Sequence, residues 1–316
     1  MSAPTPQPAN PQQASRTGGL PSVSSPVCTP AEVSDAVGAR PAAEDIDVFG
    51  LTHPGLSRKD NQDHYLIASL HRSARVHGTS LPSHTLPGMA SESRGYVFLI
   101  ADGVGGGPDG GQASAVAVRA VMRYLTDVLE LCGSPDAARD MRVLDDLRSL
   151  VTTGHEHVRA QRSDHADGGM ATTLTMATVV WPRGYLVHVG DSRCYRLRGG
   201  RLERLTTDQT MAEALRSAGA LTAEAAAVSR LKDVLWSVIG GAEMSPEVLA
   251  VDCERADVLL LCTDGLTRHV SDAEIAQQLA AGADAETTCR ALCRLALDRG
   301  GSDNVTIVVG RIRPKA

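Results

Sequence analysis

Aromatic residues and positive charge are both in short supply in this chain. Phe, Trp and Tyr make up 3% of its 316 residues, and 37 acidic against 31 basic residues give a formal net charge of −6. A nucleic-acid-binding surface needs positive charge for the phosphates and aromatic faces on which bases can stack. The composition therefore argues against a nucleic-acid partner.

Long apolar runs and paired cysteines are missing as well. No run approaches the roughly 20 apolar residues of a membrane-spanning helix, and the first residues carry no basic segment followed by an apolar one, as a secretory signal would. The seven cysteines include no Cys-x-x-Cys pair, so we interpret them as reduced thiols. We expect a cytoplasmic protein that is monomeric and has no membrane partner.

Composition divides the chain into two parts. Residues 1–44 are rich in Pro, Ala, Ser, Gln and Thr, which predicts a disordered N-terminal segment. In residues 45–313, strand-like runs alternate with pairs of amphipathic helices, and most strand connections are short enough for hairpins. This pattern favours an α+β fold with antiparallel sheets covered by helices, because a parallel sheet would need a helix after nearly every strand. Short Ala-rich helices, one of them predicted at 231–239, indicate that residues 206–241 form a surface excursion.

The central motif is an apolar run that ends in a carboxylate followed by glycine. Residues 97–101 lead directly into Asp102 and Gly103, and residues 258–262 lead into a second Asp-Gly pair at position 264. A short apolar run that ends in turn residues is typical of a buried strand, and glycine lets the backbone approach a ligand closely. Five carboxylates occupy such strand–loop junctions: Asp63, Asp102, Asp191, Asp264 and Asp303.

One aspartate at a strand end can merely cap a turn, but five of them favour a shared site. Carboxylates without cysteine or spaced histidine ligands suit hard divalent ions, Mg²⁺ or Mn²⁺. Two such ions about 3.5–4 Å apart would activate a water and clamp the oxygens of an in-line displacement. Asp102 is the candidate bridging ligand, with the carbonyl of Gly103 beside it, and Arg58 is the candidate phosphate ligand. The alternative is that each aspartate only caps its own turn.

In combination, the motifs resemble the metal-dependent protein serine/threonine phosphatases of type 2C in their bacterial form. The resemblance spans residues 44–312 and implies a four-layer αββα sandwich, in which two antiparallel sheets are flanked by antiparallel helix pairs. It rests on six pieces in the family's order: Arg58 with Asn61-Gln62-Asp63, Asp102-Gly-Val-Gly-Gly106 with Gln112-Ala-Ser114, Gly169-Met-Ala-Thr-Thr173, Gly190-Asp-Ser-Arg193, Thr263-Asp-Gly-Leu266 and Asp303-Asn304-Val-Thr306.

The resemblance implies a role for each carboxylate. Asp102 would bridge two metal ions together with the Gly103 carbonyl. Asp264 and Asp303 would serve one ion, and Asp63 would orient water on the other.

Two further features follow from the same resemblance. Asp191 would help to hold a third, weaker ion. Residues 206–241 match the family's flap, which borders the cleft and influences substrate choice.

Three residues depart from the family pattern. Gln62 stands in place of a frequent Glu, Ala171 in place of Gly or Ser, and Val104 where eukaryotic members carry a histidine proposed as general acid. None of these changes removes a metal carboxylate, so the resemblance still implies an active enzyme. Water or another group would then protonate the leaving alkoxide.

The implied function is hydrolysis of phosphoserine and phosphothreonine in proteins, in opposition to a bacterial serine/threonine kinase. Two other functions stay open. One is a catalytically silent module that binds a partner, which metal binding would distinguish. The other is a phosphoesterase for small molecules, which turnover of phosphopeptides against sugar phosphates or nucleotides would distinguish.

Overall fold

The computed structural model describes residues 40–71, 93–105, 109–127, 137–161 and 170–313, so most of the predicted disordered segment, residues 1–44, lies outside the described ranges. The strands described are β1 Ile46–His53, β2 His64–His71, β3 Ser93–Ala101, β4 Gly103–Val104, β5 Ala171–Thr172, β6 Leu174–Val180, β7 Arg183–Val189, β8 Arg193–Arg198, β9 Arg201–Arg204, β10 Glu247–Asp252, β11 Val258–Cys262 and β12 Val305–Ile312. The helices described are α1 Asp109–Asp127, α2 Ala137–Ala160, α3 Met211–Ser217, α4 Ala223–Val228, α5 Asp264–Thr267, α6 Asp272–Ala280 and α7 Ala285–Asp298. None of these helices combines the length and apolar character that crossing a bilayer requires.

Two five-stranded antiparallel sheets form the centre of the fold. Their strand orders are β1-β12-β11-β8-β9 and β10-β7-β6-β3-β2. Strands β4 and β5 make a separate ladder of two residues each. The predicted α+β fold with antiparallel sheets is confirmed.

Three apolar cores join the layers of the fold. Between the sheets, side chains of β3, β6 and β7 meet those of β8, β11 and β12, with Phe98 and Leu261 among them. Helices α1 and α2 cover the outer face of one sheet, where Leu147 is fully buried, and α6 and α7 cover the other, where Leu292 is fully buried. This is the four-layer αββα sandwich that the resemblance implies.

Local signals in the sequence fix the start of the two helices on the second sheet. The Ser271 hydroxyl accepts a hydrogen bond from the Glu274 N–H at 3.4 Å, and the Glu274 carboxylate accepts one from the Ser271 N–H at 3.1 Å. This capping box, which the sequence predicts, starts α6. At α7, the Asp284 carboxylate accepts a hydrogen bond from the Thr287 N–H at 2.6 Å.

The flap segment, residues 206–241, departs from the sequence prediction at one point. Its short helices α3 and α4 form as predicted. The prediction of a third helix at 231–239 is wrong, because this segment is not helical in the structure. The carbonyl of Val234 accepts a hydrogen bond from Met211, and the N–H of Ile239 donates to the carbonyl of Thr172 at 2.9 Å. Distant backbone partners therefore replace the i−4 hydrogen bonds that a helix would need.

Candidate active site

Asp102 lies at the end of β3, and its backbone is fixed by neighbouring groups. Its N–H donates to Thr173 Oγ1 at 3.0 Å, and its carbonyl accepts hydrogen bonds from the Thr173 N–H and the Thr172 hydroxyl, both at 2.8 Å. The next residue, Gly103, pairs with Thr172 in the β4–β5 ladder. A Cβ on Gly103 would lie 2.4 Å from the backbone of Gly110 in α1, so glycine is required there. These contacts hold Asp102 at one place on the strand end.

Asp63 is nearly closed off from solvent, with 3% of its surface exposed. Its Oδ2 accepts hydrogen bonds from the hydroxyls of Thr263, at 2.9 Å, and Thr306, at 2.7 Å. Its Oδ1 is buried and has no hydrogen-bond partner. Because an unpaired buried carboxylate oxygen is costly, Oδ1 is suited to bind a cation or a water.

Asp264 and Asp303 come together through a contact between backbones. Asp264 opens α5 directly after β11, and Asp303 precedes β12. A Cβ on Gly265 would lie 1.9 Å from the carbonyl oxygen of Asn304. The two motifs therefore touch at a point where only glycine fits.

Asn304 connects this contact to the loop before β2. Its Oδ1 accepts a hydrogen bond from the Gln62 N–H at 2.9 Å, and its Nδ2 donates to the carbonyls of Pro54, at 2.9 Å, and Asp60, at 3.0 Å. The loop that carries Arg58 and Asp63 is thereby held against the start of β12.

Two arginines each bind one of the predicted carboxylates, Asp303 or Asp264. Arg58 Nη2 donates to Asp303 Oδ2 at 2.8 Å. Arg268 donates to Asp264 Oδ2 through Nε, at 2.8 Å, and through Nη2. The other oxygen of Asp264, Oδ1, is buried without a hydrogen-bond partner.

The charges of four carboxylates act on the fifth, Asp102. Burial raises the pKa of Asp102 well above its usual value, and the charges of Asp63, Asp264, Asp191 and Asp303 raise it further. Burial is also the main cause of the raised pKa values of Asp63, Asp191 and Asp264, and neighbouring carboxylates add to it. The structure thus places the other four predicted carboxylates within electrostatic range of Asp102, and we call these five residues the carboxylate cluster.

The carboxylate cluster fits a hard divalent cation by its chemistry. All of its donors are oxygens, the type that Mg²⁺ and Mn²⁺ prefer, and two of them are buried without a partner. Within the described residues, no group of three or more Asp, Glu, His or Cys side chains is arranged around a common ion position. Arg58 and Arg268 each hold one carboxylate in an ion pair. A cation therefore has to compete with two ion pairs for its ligands.

The sequence alone assigns no role to the residues that hold the carboxylates in place. Thr263 and Asn304 are next to predicted ligands and Thr306 lies in the same motif as Asp303, and that position is the only signal they carry. Arg268 is four residues from Asp264, a spacing that becomes informative only once α5 is known to be a helical turn.

The raised pKa values predict that the metal-free protein becomes less stable as the pH rises. Burial raises the pKa of Asp63 to about 7 and that of Asp191 to about 8, from an ordinary value of 3.8. In the unfolded chain both groups have already lost their protons, so their contribution to stability is lost as the pH rises through these values. We expect the free energy of unfolding in EDTA, measured with urea, to fall between about pH 7 and about pH 8.

The buried histidines do not mask this effect. Burial lowers the pKa of His64, His155 and His188, so all three are neutral in the folded state, and in the unfolded chain, where the histidine pKa is about 6.5, most of their protons are lost by about pH 7. Saturating Mn²⁺ should remove the part of the fall that the carboxylates cause, because metal binding requires deprotonated carboxylates, and should leave the smaller part that comes from the buried cysteines, whose pKa values burial also raises. A rise in the stability of the metal-free protein over this range would contradict the assignment of these pKa shifts.

Known proteins are similar to this chain in both sequence and fold. A family model described as Protein phosphatase 2C matches residues 86–299. The chain is 36% identical over 217 residues to the serine/threonine protein phosphatase PstP of Mycobacterium tuberculosis, and this match covers 68% of the chain and 40% of PstP. It is 28% identical over 265 residues to the protein phosphatase PhpP of Streptococcus pneumoniae, which covers 84% of the chain and 96% of PhpP.

Solved structures agree with the sequence matches. The crystal structure of Mycobacterium tuberculosis PstP has a TM-score of 0.67 and 29% identity, covering 85% of this chain and 99% of that one. The catalytic domain of PstP in complex with two manganese ions has a TM-score of 0.64 and 28% identity, with the same coverage. Because the family model matches more than half of its residues, the chain belongs to the protein phosphatase 2C family.

Proposed function

We propose that this chain is a protein phosphatase that uses two divalent cations, Mn²⁺ or Mg²⁺, to hydrolyse phosphoserine and phosphothreonine in proteins. The observation that carries the proposal is the carboxylate cluster, where burial and mutual repulsion raise the pKa of Asp102. Such a cluster is costly until cations neutralise it. Membership of the protein phosphatase 2C family supports the choice of reaction.

The cations would be held by the residues at the strand ends. Asp102 and the carbonyl of Gly103 would bridge the two ions, and Asp264 and Asp303 would hold one of them. Bound there, the ions would supply an activated water and neutralise the charge of the phosphate. The catalytic unit in this proposal is residues 45–313, with the flap segment at the edge of the site.

Asp63 has the role of orienting the attacking water. The hydroxyls of Thr263 and Thr306 both bind its Oδ2, so the carboxylate cannot rotate freely. Its unpartnered Oδ1 is left to accept a hydrogen bond from the water. A water held in this way attacks phosphorus with little further loss of entropy.

Arg58 has the role of binding the phosphate. Its side chain is 49% exposed, and its ion pair with Asp303 uses Nη2. The rest of the planar guanidinium can donate to phosphate oxygens, while Asp303 fixes its orientation. Val104 offers no acidic proton, so solvent protonates the leaving serine or threonine alkoxide in this mechanism.

Activity should depend strictly on added metal. We expect the purified chain to hydrolyse an aryl phosphate in Mn²⁺, to lose essentially all activity in excess EDTA, and to recover when Mn²⁺ is restored, because the water is activated only by bound cations. With nitrophenyl phosphate as the aryl phosphate, the absorbance of the released nitrophenol measures the activity in each condition. Turnover that persists in EDTA would contradict a metal-dependent mechanism.

Two comparisons separate this proposal from the alternatives. Faster turnover of phosphopeptides than of sugar phosphates or nucleotides would distinguish a protein phosphatase from a small-molecule phosphoesterase. Calorimetric titration with Mn²⁺ would distinguish both from a silent binding module, which would take up no metal.

The cellular setting is part of the same proposal. We propose that the substrates are proteins phosphorylated by a serine/threonine kinase in the cytoplasm and that the chain acts as a monomer. Its similarity to PstP and PhpP, which carry the names of protein phosphatases, supports the substrate class. Comparing the phosphoproteome with and without this chain would identify the substrates.

A further inference from the structure

Arg268 links the carboxylate cluster to the flap segment. It follows α5 directly, and its side chain is 34% exposed. On one side it donates to Asp264 Oδ2 through Nε at 2.8 Å. On the other side, its Nη1 lies 2.9 Å from Oδ1 of Asp233 in the flap segment. One guanidinium therefore neutralises two carboxylates from different parts of the chain.

Asp191 lies on the same cavity as this ion-pair bridge. The cavity has a volume of about 420 Å³, and Asp191, Asp233, Asp264 and Arg268 all line it. The guanidinium thus pairs with two of these carboxylates, Asp264 and Asp233, in the cavity that Asp191 also lines.

We propose that Arg268 is a built-in cation that takes the place of a third divalent ion beside Asp191, so that this chain works with two metal ions. The inference rests on the proposed two-ion function, and it sets the number of ions at two, whereas the resemblance implies a third. Arg268 would act as a positioning residue, since it holds the Asp264 carboxylate rather than the substrate.

Charge and ligand supply both argue for this replacement. An ion approaching Asp191 from the cavity would meet the positive charge of Arg268 and be repelled. It would also find Asp233 and one oxygen of Asp264 already bound to the guanidinium. Asp264 Oδ1 carries no such bond and stays suited to one of the two proposed ions.

Metal stoichiometry tests the inference directly. Calorimetric titration with Mn²⁺ to millimolar concentration should give two ions per chain for the wild type and three for Arg268→Asp, which removes the cation and adds a ligand. Arg268→Lys keeps the charge and should stay at two. In the double variant Arg268→Asp with Asp191→Asn, the third ion should be lost again, because Asp191 is one of its ligands.

The outcomes separate this inference from the proposed function. Three ions in the wild type, or two in Arg268→Asp, would overturn the role of Arg268 while leaving a two-ion phosphatase in place. No Mn²⁺ binding by the wild type would overturn the proposed function and this inference with it. Circular dichroism should show each variant folded; if Arg268→Asp is not, Arg268→Gln takes its place, and a count of two ions there overturns the inference.

Discussion

Replacing Asp102 by Asn should abolish phosphatase activity while the protein stays folded. Asp102 is the proposed bridging ligand, so the change removes one negative charge from both metal positions. Loss of one preorganised electrostatic group commonly lowers kcat by about 10²–10³-fold, and a bridging ligand should cost at least that much. Steady-state hydrolysis of an aryl phosphate in saturating Mn²⁺ measures the loss.

The same substitution should stabilise the metal-free protein. Burial and four neighbouring carboxylates raise the pKa of Asp102, which means that its charge is unfavourable where it lies. Asparagine keeps the shape, removes the charge and offers an amide that can donate to a neighbouring carboxylate. The midpoint of thermal unfolding in EDTA should therefore rise, whereas the further rise on adding Mn²⁺ should shrink or disappear.

An exposed aspartate provides the control for both effects. Asp298 ends α7, its side chain is exposed, and it is not one of the five carboxylates of the cluster. Asp298→Asn should leave both kcat and the unfolding midpoint close to those of the wild type. Full activity in Asp102→Asn, or a fall in its metal-free stability, would refute the placement of Asp102 at the centre of the site.

Local sequence patterns were sufficient to predict the parts of the fold that local forces decide. The run at 258–262 is continuously apolar because β11 is buried on both faces, and its predicted bounds match the structure. The capping box at Ser271 is likewise a short-range signal. The helix predicted at 231–239 fails because Met211 and Thr172, far away in sequence, take the backbone hydrogen bonds of this segment.

The candidate site divides in the same way. A carboxylate that borders an apolar run is visible in sequence, so all five aspartates could be selected as candidates from their strand–loop junctions. The contacts that hold these carboxylates in place could not be predicted, because they join segments that are distant in sequence. Arg268, which binds Asp264, also pairs with Asp233 in the flap segment, and Asp63 accepts a hydrogen bond from Thr306. The two-residue ladder of β4 and β5, which pairs Gly103 with Thr172, is too short to leave a periodic signal.

Gly265→Ala should unfold or severely destabilise the protein, although the change adds a single methyl group. The new Cβ would lie 1.9 Å from the carbonyl oxygen of Asn304 and 2.8 Å from its carbonyl carbon. Neither backbone can yield easily, because the Asn304 side chain is bound to Gln62, Pro54 and Asp60. Overpacking of this kind typically costs about 1–3 kcal/mol, and a contact with backbone this short should reach or exceed the upper end.

Gly265→Ala should also impair metal binding and catalysis. Any relief of the clash must move Asp264 away from Asp303, which are the two proposed ligands of one ion. Mn²⁺ affinity and kcat should therefore fall together, even in whatever fraction of the variant folds. Urea denaturation in EDTA measures the stability, and calorimetric titration measures the affinity.

A second helical glycine separates the steric effect from the intrinsic preference of helices for alanine. Gly154 lies within α2, and a Cβ there would meet nothing within 4 Å. Gly154→Ala should therefore stabilise the protein by about 0.5–1 kcal/mol, since alanine loses less backbone entropy than glycine on folding into a helix. Gly265 also lies in a helical turn, so it would gain the same preference if space allowed. Equal stability of the two variants would show that the backbones of Gly265 and Asn304 are not in the close contact that joins Asp264 to Asp303, and the candidate site would lose the contact that assembles it.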